Sequence, residues 1–353
     1  MPDSKGRFVI ALAWPSEQSE LAKLSKYISA KSIVVCPNSY SLDDYKAVTE
    51  NADAIVGFTI PQSVVDHARH LKIIQVLSTG IGATWVGEPD LGFSVGSLKQ
   101  RGILLGDVHV NAWAVAEHAF ALLLTLAKRI FLSHHAVSNG EPLVRTPENF
   151  NVLLSGKTIG IIGLGAVGLG IARIAKQGFD MRVVGVKRDA RKIAKQSVAL
   201  DFVGTSKDLL KVMGESDFVV IAAPLTSETE NMVGERELRA MKRSAYLINV
   251  SRATIVQEKA LKQALVENWI GGYGSDVWYP PALVRRPAEG MSAHFCVPSW
   301  EGIHKLPNVV GTGTRATYTP ETIENVVKAS LENVDMLANG RTPKDLVDLE
   351  RTY

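Results

Sequence analysis

The chain has 353 residues, of which 46% are hydrophobic and 21% are charged. At roughly 150 residues per domain, this length predicts two domains, and the composition excludes a disordered chain. The net charge is only +3 and Lys and Arg form no dense run, so we expect neither a nucleic-acid surface nor a membrane surface. Apolar runs stay below the ~18 residues of a membrane span. The N-terminus has no signal-peptide pattern, which favours a cytoplasmic protein. His, Cys and Asp form no cluster with metal-ligand spacing, so we predict no metal site.

Short apolar runs alternate with helical patterns in the first part of the chain. The runs are typical of buried parallel strands and cover residues 8–13, 32–36, 54–57 and 73–77. Helical stretches lie between them, at 17–29, 42–50 and 61–71. This βαβ rhythm predicts an open, doubly wound sheet.

A long apolar-striped helix is predicted over residues 112–132, and a polar linker over 138–155. A second βαβ series follows, with strands at 158–163, 182–186, 218–222, 246–249 and 272–276. Residues 280–299 hold four prolines and little periodicity, which indicates an irregular loop. The last helix, at 320–338, begins with a proline, where proline is tolerated.

The segment KTIGIIGLGAVGLG carries a glycine pattern directly after an apolar strand and at the start of a helix. Gly163 allows a tight turn, Gly165 lets the backbone approach a pyrophosphate, and Gly168 allows the helix to pack closely on the strand. The free N–H groups of the first helical turn, which includes Ala166 and Val167, attract negative charge. The pattern predicts a dinucleotide-binding turn.

The next strand, MRVVGVKRD, ends at the position that contacts the adenine ribose in such folds. NAD-binding proteins place Asp or Glu there, but this chain has Lys187 followed by Arg188. Cations cannot accept hydroxyl hydrogen bonds and instead pair with a 2′-phosphate, so we predict NADP as the preferred cofactor, with NAD as the other choice. Asp189 is the counter-evidence, because a slightly different turn would bring it to the ribose.

Several segments, in order, resemble the D-2-hydroxyacid dehydrogenase family and most closely its formate dehydrogenase branch. They are LKIIQVLSTGIGATWV, NAWAVAEHAFALLL, GKTIGIIGLGAVG, AAPLTSETENMVGERELRAMKRSAYLINVSRATIV and GSDVWYP. The resemblance implies an α/β protein of two doubly wound Rossmann-like domains with a cleft between them. A discontinuous, flavodoxin-like substrate domain would comprise residues 1–110 and 315–353. Residues 111–314 would bind the dinucleotide, and the helix at 112–132 would form a homodimer.

The resemblance also assigns site residues. Arg252, in INVSRA, matches the catalytic arginine, and a guanidinium there can hold a carboxylate and polarise a carbonyl. Asp276 matches the aspartate that holds the nicotinamide carboxamide, and Pro224 falls in a segment that contacts the cofactor. The substrate anion would meet Ile81, Gly82 and Asn111.

The proton-handling pair of the family is missing from this chain. The simplest alignment puts Pro281 in place of the Glu or Gln, and Gly313 and Thr314 in place of a Pro-His pair. Thr314, Tyr279, a water or a displaced histidine could supply the proton, with His294 and His304 as loop histidines to consider. Hydride transfer without a protein acid is another possibility.

Arg315, next to Thr314, would add a second cation beside Arg252 and suit a doubly charged substrate such as a phosphonate or dicarboxylate. We expect an oxidoreductase that transfers hydride between a nicotinamide and a small anionic 2-hydroxy or 2-oxo acid. The alternative is a dinucleotide-binding regulatory protein with little or no turnover.

Overall fold

The computed structural model describes residues 6–79, 92–142, 145–190, 200–279, 299 and 301–350. These residues form two compact units. The first comprises 6–79, 92–111 and 319–350, and the second comprises the described residues from 112 to 318.

A five-stranded parallel sheet forms the centre of the first unit, in the order β2-β1-β3-β4-β5. Its strands are β1 (Phe8–Leu12), β2 (Ser32–Val35), β3 (Ala54–Gly57), β4 (Ile73–Val76) and β5 (Leu104–Gly106). Its helices are α1 (Gln18–Leu24), α2 (Leu42–Thr49), α3 (Gln62–His67), α4 (Val95–Arg101) and α11 (Pro320–Ala338). All residues of β1, β3 and β4 are buried, as expected for a sheet covered on both faces. The strand order is that of flavodoxin-like folds.

The C-terminal helix α11 packs on β4, β1 and β3 of this sheet. Buried polar contacts hold it there: Asn333 Nδ2 lies 2.8 Å from Gln75 Oε1, and Asp335 accepts a hydrogen bond from the backbone N–H of Ser29. These contacts hold the two ends of the chain together in one unit. Buried amide and carboxylate groups require such hydrogen-bond partners.

The second unit has a seven-stranded sheet in the order β12-β11-β10-β9-β6-β7-β8. Its strands are β6 (Thr158–Ile162), β7 (Arg182–Val186), β8 (Phe202–Gly204), β9 (Phe218–Ile221), β10 (Tyr246–Asn249), β11 (Gly272–Ser275) and β12 (Val309–Gly311). Its helices are α5 (Ala112–Ala127), α6 (Ile130–Ser138), α7 (Ala166–Phe179), α8 (Leu209–Glu215), α9 (Glu235–Ala240) and α10 (Glu258–Val266). The first six strands in chain order follow the dinucleotide-binding arrangement 3-2-1-4-5-6, which has its switch point at β6. The prediction of two doubly wound α/β domains is confirmed.

The predicted helix at 112–132 is wrong in its extent. Helix α5 ends at Ala127, Arg129 adopts a left-handed backbone conformation with φ 50°, and α6 starts at Ile130. A residue at positive φ interrupts the helical hydrogen bonds. Neither Gly nor Pro marks the position, so apolar periodicity alone runs across it. The structure also adds the three-residue strands β5, β8 and β12, which are too short for periodicity to reveal.

Among the described residues, none of the helices combines the length and apolarity that crossing a membrane requires.

Candidate functional site

Most predicted site residues of the second unit follow the carboxyl ends of its strands, which meet at one edge of a parallel sheet. Gly163 and Gly165 follow β6, Lys187 follows β7, Pro224 follows β9, Arg252 follows β10, Asp276 follows β11 and Thr314 follows β12. Open α/β sheets bind their ligands at this edge. The fold therefore collects these residues from six strands into one region.

The glycines after β6 have three different constraints. Gly163 has φ +101°, and a Cβ there would lie 2.5 Å from the Ala223 backbone nitrogen. A Cβ on Gly168 would lie 2.0 Å from the Gly163 carbonyl oxygen. A Cβ on Gly165 would meet no atom of the other described residues within 4 Å, its chain neighbours aside, and no described side chain caps the helix at Gly165, the N-cap of α7. Two glycines thus allow the turn to close, and the third leaves open space before free N–H groups, which fits a pyrophosphate.

Cations rather than carboxylates stand at the end of β7. Lys187 is partly buried, and its backbone N–H donates to Gly204. The Arg188 Nε atom lies 3.0 Å from Glu228 Oε2. Asp189, the residue that argued against NADP, is partly buried. Lys187 and Arg188 fit a phosphate better than a ribose diol.

Arg252 is held by a short network at the end of β10. Buried Asn249 donates to the Arg252 carbonyl at 3.0 Å and accepts from the Ser251 N–H at 3.0 Å. The Ser251 hydroxyl donates to the Ala223 carbonyl. The sequence NVSR thus builds its own turn.

The Arg252 guanidinium donates to the Ser251 carbonyl at 2.9 Å, and burial lowers the pKa of this side chain. No carboxylate among the described residues lies within ion-pair distance of it. Arginine stays charged at neutral pH, and a desolvated charge is costly without a partner. The site therefore favours an anion.

Asp276, after β11, is almost fully engaged by hydrogen bonds. Its carboxylate accepts from Thr312 Oγ1 at 2.6 Å, from the N–H groups of Arg315 and Ala316 at 2.8 and 3.0 Å, and faces His118 Nε2 at 3.3 Å. Burial raises the pKa of Asp276, but bonds from these donors more than offset it, so the pKa is lowered. Asp276 thus fixes the turn after β12, which includes Thr314 at φ 49°.

His118 is the site residue that sequence reasoning missed. Helix α5 runs along β11, so that side chains one helical turn apart contact every second residue of the strand. Leu126 faces Gly272 and Leu122 faces Gly274. His118, one helical turn before Leu122, faces Asp276, and its Nε2 atom lies 2.8 Å from Thr312 Oγ1. The sequence contains the two matching periodicities, 118, 122 and 126 on a helix and 272, 274 and 276 on a strand, but it does not show that the helix lies on this strand.

The other candidate proton donors, and the predicted second cation, have contacts of their own. The Tyr279 hydroxyl donates to the Val256 carbonyl at 2.8 Å, and burial raises the pKa of this phenol well above its ordinary value. The His304 ring packs edge-on against Trp278. The Arg315 guanidinium lies over the Tyr318 ring, 4.6 Å from its centroid. Pro281 and His294 lie outside the described residues.

The predicted anion-binding residues of the first unit are only partly described. Asn111 is buried, and its Oδ1 atom accepts from the Thr79 hydroxyl, which also lies 2.7 Å from the Val108 carbonyl. The Asn111 side-chain nitrogen makes no hydrogen bond to a described residue. Ile81 and Gly82 lie outside the described residues.

The chain is similar to known proteins over most of its length. Residues 120–312, more than half of the chain, match the family described as D-isomer specific 2-hydroxyacid dehydrogenase, NAD binding domain. A glyoxylate reductase of Pyrococcus furiosus is 33% identical over 312 residues, covering 85% of this chain and 84% of that protein. A glyoxylate/hydroxypyruvate reductase B of Pectobacterium carotovorum subsp. carotovorum is 30% identical over 329 residues, covering 93% of each.

A solved structure supports the fold at a greater distance. The NAD-complexed D-isomer specific 2-hydroxyacid dehydrogenase from Lactobacillus delbrueckii ssp. bulgaricus superposes with a TM-score of 0.75. It is 21% identical and covers 96% of this chain and 99% of its own. Nearness to the formate dehydrogenase branch stays a prediction. The chain belongs to the D-isomer specific 2-hydroxyacid dehydrogenase family of NAD(P)-dependent oxidoreductases that act on CH–OH donors.

Proposed function

We propose that the chain reduces a small 2-oxo acid of the glyoxylate and hydroxypyruvate class. The observation that carries this is Arg252, a half-buried cation without an acidic partner among the described residues, on the same sheet edge as the phosphate turn. When bound, a reduced nicotinamide would supply the hydride for the carbonyl carbon, and a proton for the carbonyl oxygen would have to come from the protein or from solvent. Arg252 holds the carboxylate and stabilises the charge that develops on the carbonyl oxygen.

The preferred cofactor in this proposal is NADP. Lys187 and Arg188 end β7 where an acidic residue would accept hydrogen bonds from the ribose of NAD. Two cations there pair with a 2′-phosphate instead.

His118 takes the place of the missing histidine in the proposed mechanism. The Thr312 hydroxyl donates a hydrogen bond to Asp276, so its oxygen is left to accept a hydrogen bond from His118 Nε2. Nε2 therefore carries hydrogen, and the Asp276 carboxylate stabilises a positively charged ring. Nδ1 of His118 makes no hydrogen bond to a described residue, which leaves it to donate a proton to the carbonyl oxygen and recover one from solvent.

Several finer assignments extend the proposal. Arg315 would turn towards a second anionic group, such as that of a phosphonate or dicarboxylate, by leaving the Tyr318 ring. Ile81, Gly82 and Asn111 would contact the substrate anion, and Asp276 the nicotinamide carboxamide, although its carboxylate already has four donors. Residues 1–110 and 315–353 would form the substrate domain and residues 111–314 the coenzyme domain.

Two assays test this proposal. Oxidation of NADPH and NADH is followed with glyoxylate, hydroxypyruvate, a dicarboxylic 2-oxo acid and a phosphonate analogue. Faster oxidation with a 2-oxo acid than without one supports the enzyme. Tight cofactor binding with no turnover on any of them would favour the regulatory protein. Loss of the dicarboxylate and phosphonate rates alone in Arg315→Ala would support the second cation.

A further inference from the structure

The Arg188–Glu228 ion pair spans the place where the cofactor phosphates are expected. Arg188 follows β7 and Glu228 follows β9, and these two strands flank β6 in the sheet. The Nε–Oε2 distance is 3.0 Å, and the two side chains are 43% and 67% exposed. The pair therefore bridges the strand whose carboxyl end carries the glycine turn, at a position open to solvent.

Glu228 lies in a turn that local hydrogen bonds stabilise. The Thr226 N–H donates to the Thr229 hydroxyl at 2.8 Å, and that hydroxyl donates to the Pro224 carbonyl at 2.6 Å. The Glu228 N–H points to the Thr226 hydroxyl at 3.3 Å. These bonds fix the backbone that carries Glu228, so its carboxylate is held near Arg188 by local structure.

A 2′-phosphate and the Glu228 carboxylate are competing partners for one guanidinium. Both are oxygen anions that arginine binds through the same N–H groups. Glu228 also repels a phosphate that approaches Arg188, whereas NADH brings no charge to this position. The competition thus acts on NADP(H) and leaves NAD(H) unaffected.

We propose that Glu228 is a cofactor-specificity residue that holds Arg188 in the free protein and lowers the preference for NADP(H) over NAD(H). The proposal rests on the assignment of Arg188 to the 2′-phosphate. Glu228 makes the chain less selective for NADPH than Lys187 and Arg188 alone would make it. The ion pair must open when a 2′-phosphate binds.

The test compares Glu228→Gln with wild type by fluorescence titration of NADPH and NADH. Adenosine 2′,5′-bisphosphate and 5′-AMP, measured by calorimetry, isolate the ribose end. We expect Kd for NADPH and for the bisphosphate to fall about three- to fivefold, the range of an exposed ion pair. Kd for NADH and AMP stays unchanged. Glu230→Gln is the matched control, because Glu230 is exposed and forms no ion pair with a described residue.

A double variant links the effect to the ion pair. In an Arg188→Gln background, Glu228→Gln should improve NADPH binding less than it does in wild type, because only the direct repulsion of the phosphate is left to relieve. An unchanged NADPH-to-NADH ratio in Glu228→Gln overturns the proposal. A weaker NADH affinity also overturns it, since Glu228 would then accept ribose hydroxyl bonds. If wild type binds NADH more tightly than NADPH, the proposed NADP preference is contradicted. The role of Glu228 is tested separately, because it depends only on how the substitution changes the ratio of the two Kd values.

Discussion

The Nε2 atom of His118 lies 2.8 Å from the Thr312 hydroxyl, which itself donates to Asp276. This chain of hydrogen bonds connects helix α5 with the ends of β11 and β12. It puts an imidazole beside the turn in which family resemblance expects a histidine and the sequence has Thr314. His118 is thus a described histidine that stands near the place where we predict the family histidine to be missing, and it lies nearly 200 residues from Thr314 in the sequence.

His118→Gln should lower kcat about 10²- to 10⁴-fold, the usual contribution of a general acid. Glutamine keeps a donor towards Thr312 but cannot exchange a proton near neutral pH. KM for the cofactor should change little, and the pH dependence of kcat near neutrality should flatten. Steady-state rates across pH 5 to 9 check this, with His304→Gln as the control. A variant with the wild-type pH profile would show that His118 only fixes the position of Asp276.

Gly165→Ala and Gly168→Ala should separate cofactor binding from folding. The new Cβ at 165 meets no atom of the described residues beyond its chain neighbours within 4 Å. This variant should therefore keep its Tm but lose at least about tenfold in NADPH affinity, because the methyl fills the pyrophosphate space. The Cβ at 168 would lie 2.0 Å from a carbonyl oxygen, which should cost roughly 1–3 kcal/mol of unfolding free energy. Calorimetry and cofactor titration measure both. Equal effects of the two substitutions would contradict this account of the turn.

Asp217 should contribute to stability in a pH-dependent way. Its carboxylate accepts from the Thr158 N–H and from Lys242, each at 2.9 Å. Burial raises the pKa of Asp217, but these bonds more than offset it, and the pKa is lowered. A lowered folded-state pKa stabilises the protein above the unfolded value of about 3.9, and this stability is lost as the pH falls through the folded-state pKa.

Asp217→Asn should therefore lower the unfolding free energy at neutral pH by on the order of 1 kcal/mol. The difference from wild type should shrink below about pH 4. Urea unfolding at pH 7, 5 and 3 measures this. A difference that stays constant over these pH values would mean that the carboxylate charge is not involved.

Homodimer formation stays a prediction, and helix α6 offers a way to test it. Phe131 and Val137 are 61% and 68% exposed in the single chain, which is unusual for large apolar side chains unless a partner covers them. Phe131→Asp should shift the mass measured by light scattering from dimer to monomer. Lys328→Asp on α11 serves as a control for added charge. A monomeric wild-type protein would refute the prediction.

The sequence predicted the fold well where its physical signals are local. The strands at 182–186 and 246–249 and the helix at 320–338 have the predicted bounds, because short apolar runs mark the strands and a proline marks the start of the helix. The glycine turn after β6 was predicted for the same reason. The break at Arg129 was not predicted, since neither glycine nor proline marks its positive φ in the sequence.

The site was predictable in its motifs and less so in its long-range contacts. Arg252 and Asp276 follow strands that periodicity reveals. The link from His118 to Asp276 joins residues 158 positions apart in sequence, and it becomes visible only when α5 is placed along β11. The Arg188–Glu228 pair depends in the same way on knowing that β7 and β9 flank β6.

The most direct test of the central claim is glyoxylate-dependent oxidation of NADPH by wild type and by Arg252→Lys. Lysine keeps the charge but loses the planar fork that holds a carboxylate and a carbonyl together. The account predicts turnover in wild type and a loss of kcat/KM of at least about 10²-fold in the variant, with NADPH affinity and Tm unchanged. Equal kcat/KM in the two proteins would contradict the assignment of Arg252 as the anchor of the substrate.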